Sequence, residues 1–133
     1  MARVNYNSKT IEVMRDLFGH VEGVEKFNSF TNQRKDFLNI IDYMSVHKRA
    51  ITAVQSTGAN GRSQHHKTIM SEPGTTLWLD GPGRELWLLT WKKKLIKRGG
   101  TAFRYKFNVD NYSLVDGIVV CERSIEVNHK KRA

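Results

Sequence analysis

Apolar residues recur at helical spacing early in the chain and alternate with polar ones late in it. From Ser8 to Phe18, Ile11, Met14, Leu17 and Phe18 make one stripe, with Ser8 as N-cap and Gly19 as the stop. A link follows in which Val21, Val24 and Phe27 add at most another turn. The spacing resumes at Phe37, Ile40, Ile41, Met44, Ile51 and Val54, broadened by Leu38 and Val46. It predicts a second helix from Thr31 or Asn32 to about Val54, with Arg34, Lys35, Asp42, Lys48 and Arg49 outside. Gln55–His66 (QSTGANGRSQHH) has only Ala59 as an apolar residue and predicts a loop. Strands are predicted over Lys67–Met70, Thr75–Leu79, Glu85–Ile96, Ala102–Val109 and Gly117–Val127, with turns at Asp80–Gly83 and Val109–Tyr112. The expected fold is α+β: two N-terminal helices packed on a C-terminal antiparallel sheet of four to five strands. Its 133 residues read as one domain, divided into a helical part (8–54), a polar loop (55–66), a β-meander (67–127) and a basic tail (128–133).

The alternation is sharpest on either side of Gly99-Gly100, where Leu86–Val109 holds seven lysines and arginines and no acid. A three-residue loop, Arg98-Gly99-Gly100, sets Lys97 opposite Thr101. One face then carries Leu89, Trp91, Leu95, Phe103, Tyr105, Phe107 and Val109, interrupted by Lys93. The other carries Thr90, Lys92, Lys94, Arg104, Lys106 and Asn108, with Lys92 facing Lys106 and Lys94 facing Arg104. A two-residue loop would mix lysines and aromatics on one face, and burial favours the sorted register. Like charges across a ladder destabilise it. A polyanion on that face would explain them, and protection of a sheet edge is the plainer reading.

Charge sharpens this picture. Of the formal +9, residues 1–55 contribute +2 and residues 56–133 contribute +7, with His129-Lys130-Lys131-Arg132 extending the excess. Nucleic acid, DNA or RNA, or an acidic protein surface are the partner classes this favours. No segment approaches the roughly 18 apolar residues of a membrane span, and MARVNYNSKT lacks a signal-peptide h-region. The lone Cys121, in GIVVCERSI, rules out an internal disulfide and reads as a buried strand position. A cytoplasmic protein without membrane partner is expected.

Catalytic equipment is sparse. Arg62, His65, His66 and Lys67 stand where the polar loop enters the predicted sheet. Adjacent histidines on a strand point apart and cannot share a metal. One of them is equipped for general acid–base work on a phosphodiester, completed by Tyr105, Lys93 or Arg104. The plainer reading is a solvated histidine pair. His47 is placed on the solvent side of the second helix, and His20 at the C-terminal end of the first. No zinc spacing, P-loop, dinucleotide fingerprint or nucleophile elbow is present, so no metal or cofactor is expected. Glu122 and Glu126 read as cross-strand partners for lysines, and Trp78, Trp87 and Trp91 as core. The link between the helices is too long for a helix-turn-helix; a β-ribbon is the better DNA geometry.

With SQHH (Ser63–His66) and LWLLTW (Leu86–Trp91), the order helix, helix, sheet is loosely similar to RelE-like endoribonucleases. That resemblance implies metal-independent RNA cleavage centred on His65 or His66. Small size, basicity and the lack of enzyme motifs also suit phage or mobile-element products. The leading expectation is a non-enzymatic nucleic-acid-binding protein in which Lys92, Lys94, Lys97, Arg98, Arg104 and Lys106 contact phosphates, with Arg62 and Lys67 at the rim. The alternatives are an inhibitor or regulator docking an acidic surface of a host machine, and the ribonuclease.

Overall fold

The computed structural model describes residues 6–24, 26–28, 33–35, 38, 40–47 and 50–129. Among them are three α-helices, α1 (Tyr6–Phe18), α2 (Arg62–Ser71) and α3 (Pro73–Leu79). The strands are β1 (Glu22–Gly23), β2 (Lys26–Asn28), β3 (Gln33–Lys35), β4 (Tyr43–His47), β5 (Ala50–Gly58), β6 (Arg84–Leu95), β7 (Phe103–Val115), β8 (Ile118–Arg123) and β9 (Val127–Asn128). Seven of them form one mixed sheet in the order β1-β4-β5-β6-β7-β8, with β9 added beside β7. The short strands β2 and β3 pair separately.

This overturns the expected pair of N-terminal helices on an antiparallel meander. Of that pair, only the first helix is present among the described residues, as Tyr6–Phe18, which puts Ser8 inside its first turn. The predicted second helix is instead β3, β4 and β5; its stripe residue Phe37 lies outside the described residues. Ile51, Thr52 and Val54 are β-branched and suit a pleated surface. The predicted loop 55–66 is the end of β5, a 3-10 turn (Ala59–Gly61) and the start of α2. Predicted strands at Lys67–Met70 and Thr75–Leu79 are helical, and the predicted turn at Val109–Tyr112 runs straight through β7. Pro73 sits at the start of α3, where its fixed φ and missing N–H are tolerated. At Gly74 a Cβ would lie 2.8 Å from the Leu38 carbonyl oxygen, so the close approach requires glycine.

Strands β5 and β6 run parallel, joined by α2 and α3. A parallel pair needs such a crossover and is covered on both faces. On one face Val13 and Met14 of α1 pack with Val54, Leu89, Trp91 and Phe107. On the other, Ile69 and Trp78 pack with Ala53, Leu86, Leu88 and Tyr112. Consecutive residues of β6 therefore enter opposite cores. Buried Thr10 locks α1 in place: its hydroxyl accepts from Trp91 Nε1 at 2.8 Å and lies 2.6 Å from Ser56 Oγ. His47 is no solvated helix residue but a β4 residue stacked on Phe18 and 2.8 Å from Thr52 Oγ1.

The last described residues return to the sheet, while Lys130, Lys131 and Arg132 of the predicted basic tail lie outside the described residues. His129 N donates to Tyr105 O, and its imidazole, 8% exposed, meets the Trp91 ring edge-on and lies 3.6 Å from Glu12. Burial pushes its pKa below the ordinary 6.5; Lys9 adds to this, while Glu12 and Asp16 oppose it. Below about pH 6.5 the unfolded chain takes up a proton that the folded one resists, so stability falls as pH drops. The melting temperature should decline between about pH 7 and 5, and less so in His129→Asn. Equal declines would rule this residue out.

Candidate nucleic-acid interface

The basic residues stand on the long hairpin of β6 and β7. Its register sets Lys92 against Lys106, Lys93 against Tyr105, Lys94 against Arg104 and Leu95 against Phe103. This is the pairing that the three-residue loop predicts. Gly99, at φ +81°, makes the left-handed step of the turn, and Gly100 N donates to Lys97 O. Every residue from Lys93 to Arg104 is exposed, so the tip extends past the packed helices as an arm.

Side chains sort as alternation requires, with one refinement. Thr90 and Asn108, on the lysine side of the sheet, are buried, so the solvent-facing basic surface starts at Lys92 and Lys106. Beyond them stand the exposed Lys94 and Arg104, and at the tip the exposed Lys97 and Arg98. An acid reaches this face as well. Glu126, from the segment between β8 and β9, lies 3.1 Å from Lys94 Nζ. The hydrogen bond from Lys94, helped by the charges of Lys94, Lys92 and Lys106, holds its carboxyl below the usual range. Glu126 thus partners a lysine, but from between strands rather than across a ladder, and exposed Glu122 stands opposite Asn111 instead of a lysine.

The reverse face of the arm holds its rings, and cations cap them. Lys9 Nζ lies 3.9 Å above Tyr105, and Lys93 Nζ lies 4.0 Å above Phe103. A cleft of about 430 Å³ lined by Lys9, Glu12, Phe103, Arg104, Tyr105 and His129 separates α1 from this side. Trp78 and Trp91 are core, and Trp87 is half-buried against the α1-side cluster.

The expected rim residues are placed differently. Arg62, at the start of α2, grips the fully buried Asp110 with Nη2–Oδ1 at 3.0 Å and Nε–Oδ2 at 3.2 Å. Arg123 Nε is 3.9 Å from the same carboxylate, and Cys121 Sγ donates to it at 3.7 Å. Burial, then Asp110, raises the Cys121 pKa, which keeps the thiol protonated. Lys67 is exposed on α2, while Ile69 of that helix packs into the core.

His65 and His66 lie on α2 rather than on a strand, and His66 Nδ1 is 2.7 Å from the Tyr112 hydroxyl. Burial drives the Tyr112 pKa far above its ordinary value, so that hydroxyl stays protonated. Tyr112 is eight residues along β7 from Arg104, a separation of about 27 Å. Tyr105 and Lys93 are on the opposite side of the sheet from both, so the proposed completion of a histidine site is not assembled. Sequence reasoning missed the knot around Asp110, because it placed Asp110 in a turn and Arg62 in a loop. Among the described residues no group of His, Cys, Asp or Glu could hold a metal, and no helix is long and apolar enough to cross a membrane. No family model, curated protein or solved structure matches the chain.

Proposed function

We propose that this protein binds nucleic acid through the basic side of the β6–β7 arm. The observation that carries the reading is the pair of like-charged rungs, Lys92–Lys106 and Lys94–Arg104, on an arm exposed along its outer length. Such rungs oppose hairpin formation, and a row of phosphates offsets that repulsion while releasing counterions. Glu126 supports the same reading, because its carboxylate occupies the face as an anion would. A titration of labelled nucleic acid by fluorescence anisotropy at several salt concentrations tests it. About five phosphate contacts give a slope of log K against log salt near −4.5. Glu126→Gln removes the internal competitor, so affinity should rise about fivefold at physiological salt and the slope steepen by about one. An unchanged or weaker affinity in that variant would count against the face.

The same Lys94–Glu126 contact favours one second reading, an acidic protein surface as the partner. Absence of nucleic-acid binding at low salt, with a co-purifying acidic protein, would select it.

A further inference from the structure

Resting on the reading of the lysine face as a nucleic-acid surface, we infer that its ligand is duplex DNA, held through the backbone without base stacking or base-edge readout. Single strands are held chiefly by stacking bases on aromatic side chains beside a basic groove. Here no ring of the hairpin stands among the four rung cations: in the described residues, Trp91, Phe103, Tyr105 and Phe107 all belong to its other side. Tyr6 of α1 lines a cleft with Lys92 and Lys94, but its ring is stacked on Trp91 and meets Tyr105 edge-on. Both rings nearest the tip already carry an ammonium on one side, Lys9 over Tyr105 and Lys93 over Phe103. Trp91 is wholly buried. The neutral polar groups of this face, suited to adenine edges, are withdrawn as well, since Thr90 and Asn108 are buried and the Asn108 amide donates to Ser124 O.

What remains is a two-stranded ribbon with cations at two successive rungs. Its strands are about 4.8 Å apart, and rungs on one face repeat at about 6.8 Å. A ribbon of this width enters the major groove of B-form DNA, which is about 12 Å wide, and its long cationic side chains can extend to the phosphates that flank the groove. The deep, narrow major groove of duplex RNA does not admit it. Contacts of this kind position a protein without specifying sequence.

The test uses the full chain and anisotropy with a labelled DNA duplex of about two helical turns, each of its strands alone, the duplex RNA of the same sequence and a shuffled DNA duplex. Duplex DNA should bind at least about tenfold tighter than either strand or the RNA duplex, and the shuffled duplex should match it within about twofold. Phe103→Leu, at a residue 45% exposed, should leave every affinity within about twofold; a loss of about tenfold would show a stacked base and overturn the inference. Equal or tighter binding of single strands or of RNA also overturns it while leaving the lysine face as a phosphate surface. Binding to none of them removes the underlying reading too.

Discussion

Reversing the charge at both Lys94 and Arg104 is expected to reduce nucleic-acid affinity on the order of a thousandfold at physiological salt. The two residues form the outermost basic rung and face each other directly. Each phosphate contact contributes about fivefold near 0.15 M salt through counterion release. Lys94→Glu with Arg104→Glu deletes two contacts and sets two carboxylates against the phosphates, so the loss is near that of four contacts. The salt slope should flatten by about two from the deleted contacts alone. Folding should be little changed, because exposed pairs such as Lys94–Glu126 contribute little to stability. Circular dichroism and the melting temperature check the fold, and anisotropy checks binding. Undiminished binding by a folded double variant would remove the arm from the interface.

The arm was legible because its signal is local. Alternation, two glycines and the separation of rings from cations fix one register between adjacent segments, and Lys97 opposite Thr101 follows from it. The middle of the chain was not legible because its order is set by distant partners. Ile40, Ile41, Met44, Ile51 and Val54 satisfy helical spacing, yet Val54 enters the α1-side core while Ile40 and Ile41 enter the other. A strand buried on both faces loses the period of two that identifies it, and β5 buries Thr52, Ala53, Val54 and Gln55 in succession. The opposite failure hid α2, whose RSQHHKTIMS sends only Ile69 fully into the core and carries too few apolar residues to show a stripe. What holds α2 besides Ile69 is polar: Arg62 on Asp110 and His66 on Tyr112, contacts spanning 48 and 46 residues that no local window contains.

That polar anchoring makes Arg62→Ala the most damaging single truncation expected outside the apolar core. Asp110 is fully buried, and Arg62 gives it both of its close charge-assisted hydrogen bonds. The remaining neighbours are weaker, with Arg123 Nε at 3.9 Å on a side chain 41% exposed and Cys121 Sγ at 3.7 Å. Removing one partner of a buried pair strands the other, which costs about 3–5 kcal/mol. The Arg62 side chain is 27% exposed and Arg123 stays nearby, which lowers the expectation to about 2–4 kcal/mol. In a domain of this size the melting temperature then falls by about 10 °C. The cause is separable from lost packing by removing both charges. Arg62→Met with Asp110→Leu, which puts apolar groups beside Leu88 and Tyr112, should recover most of the loss, as buried pairs replaced by apolar groups generally do. Asp110→Ala should be nearly as harmful as Arg62→Ala, since it leaves a half-buried guanidinium without its acceptor. Denaturant unfolding of the single and double variants measures the coupling. A loss below about 1 kcal/mol in Arg62→Ala would mean that Arg123 alone neutralises Asp110, and that α2 is held on the sheet by Ile69 rather than by charge.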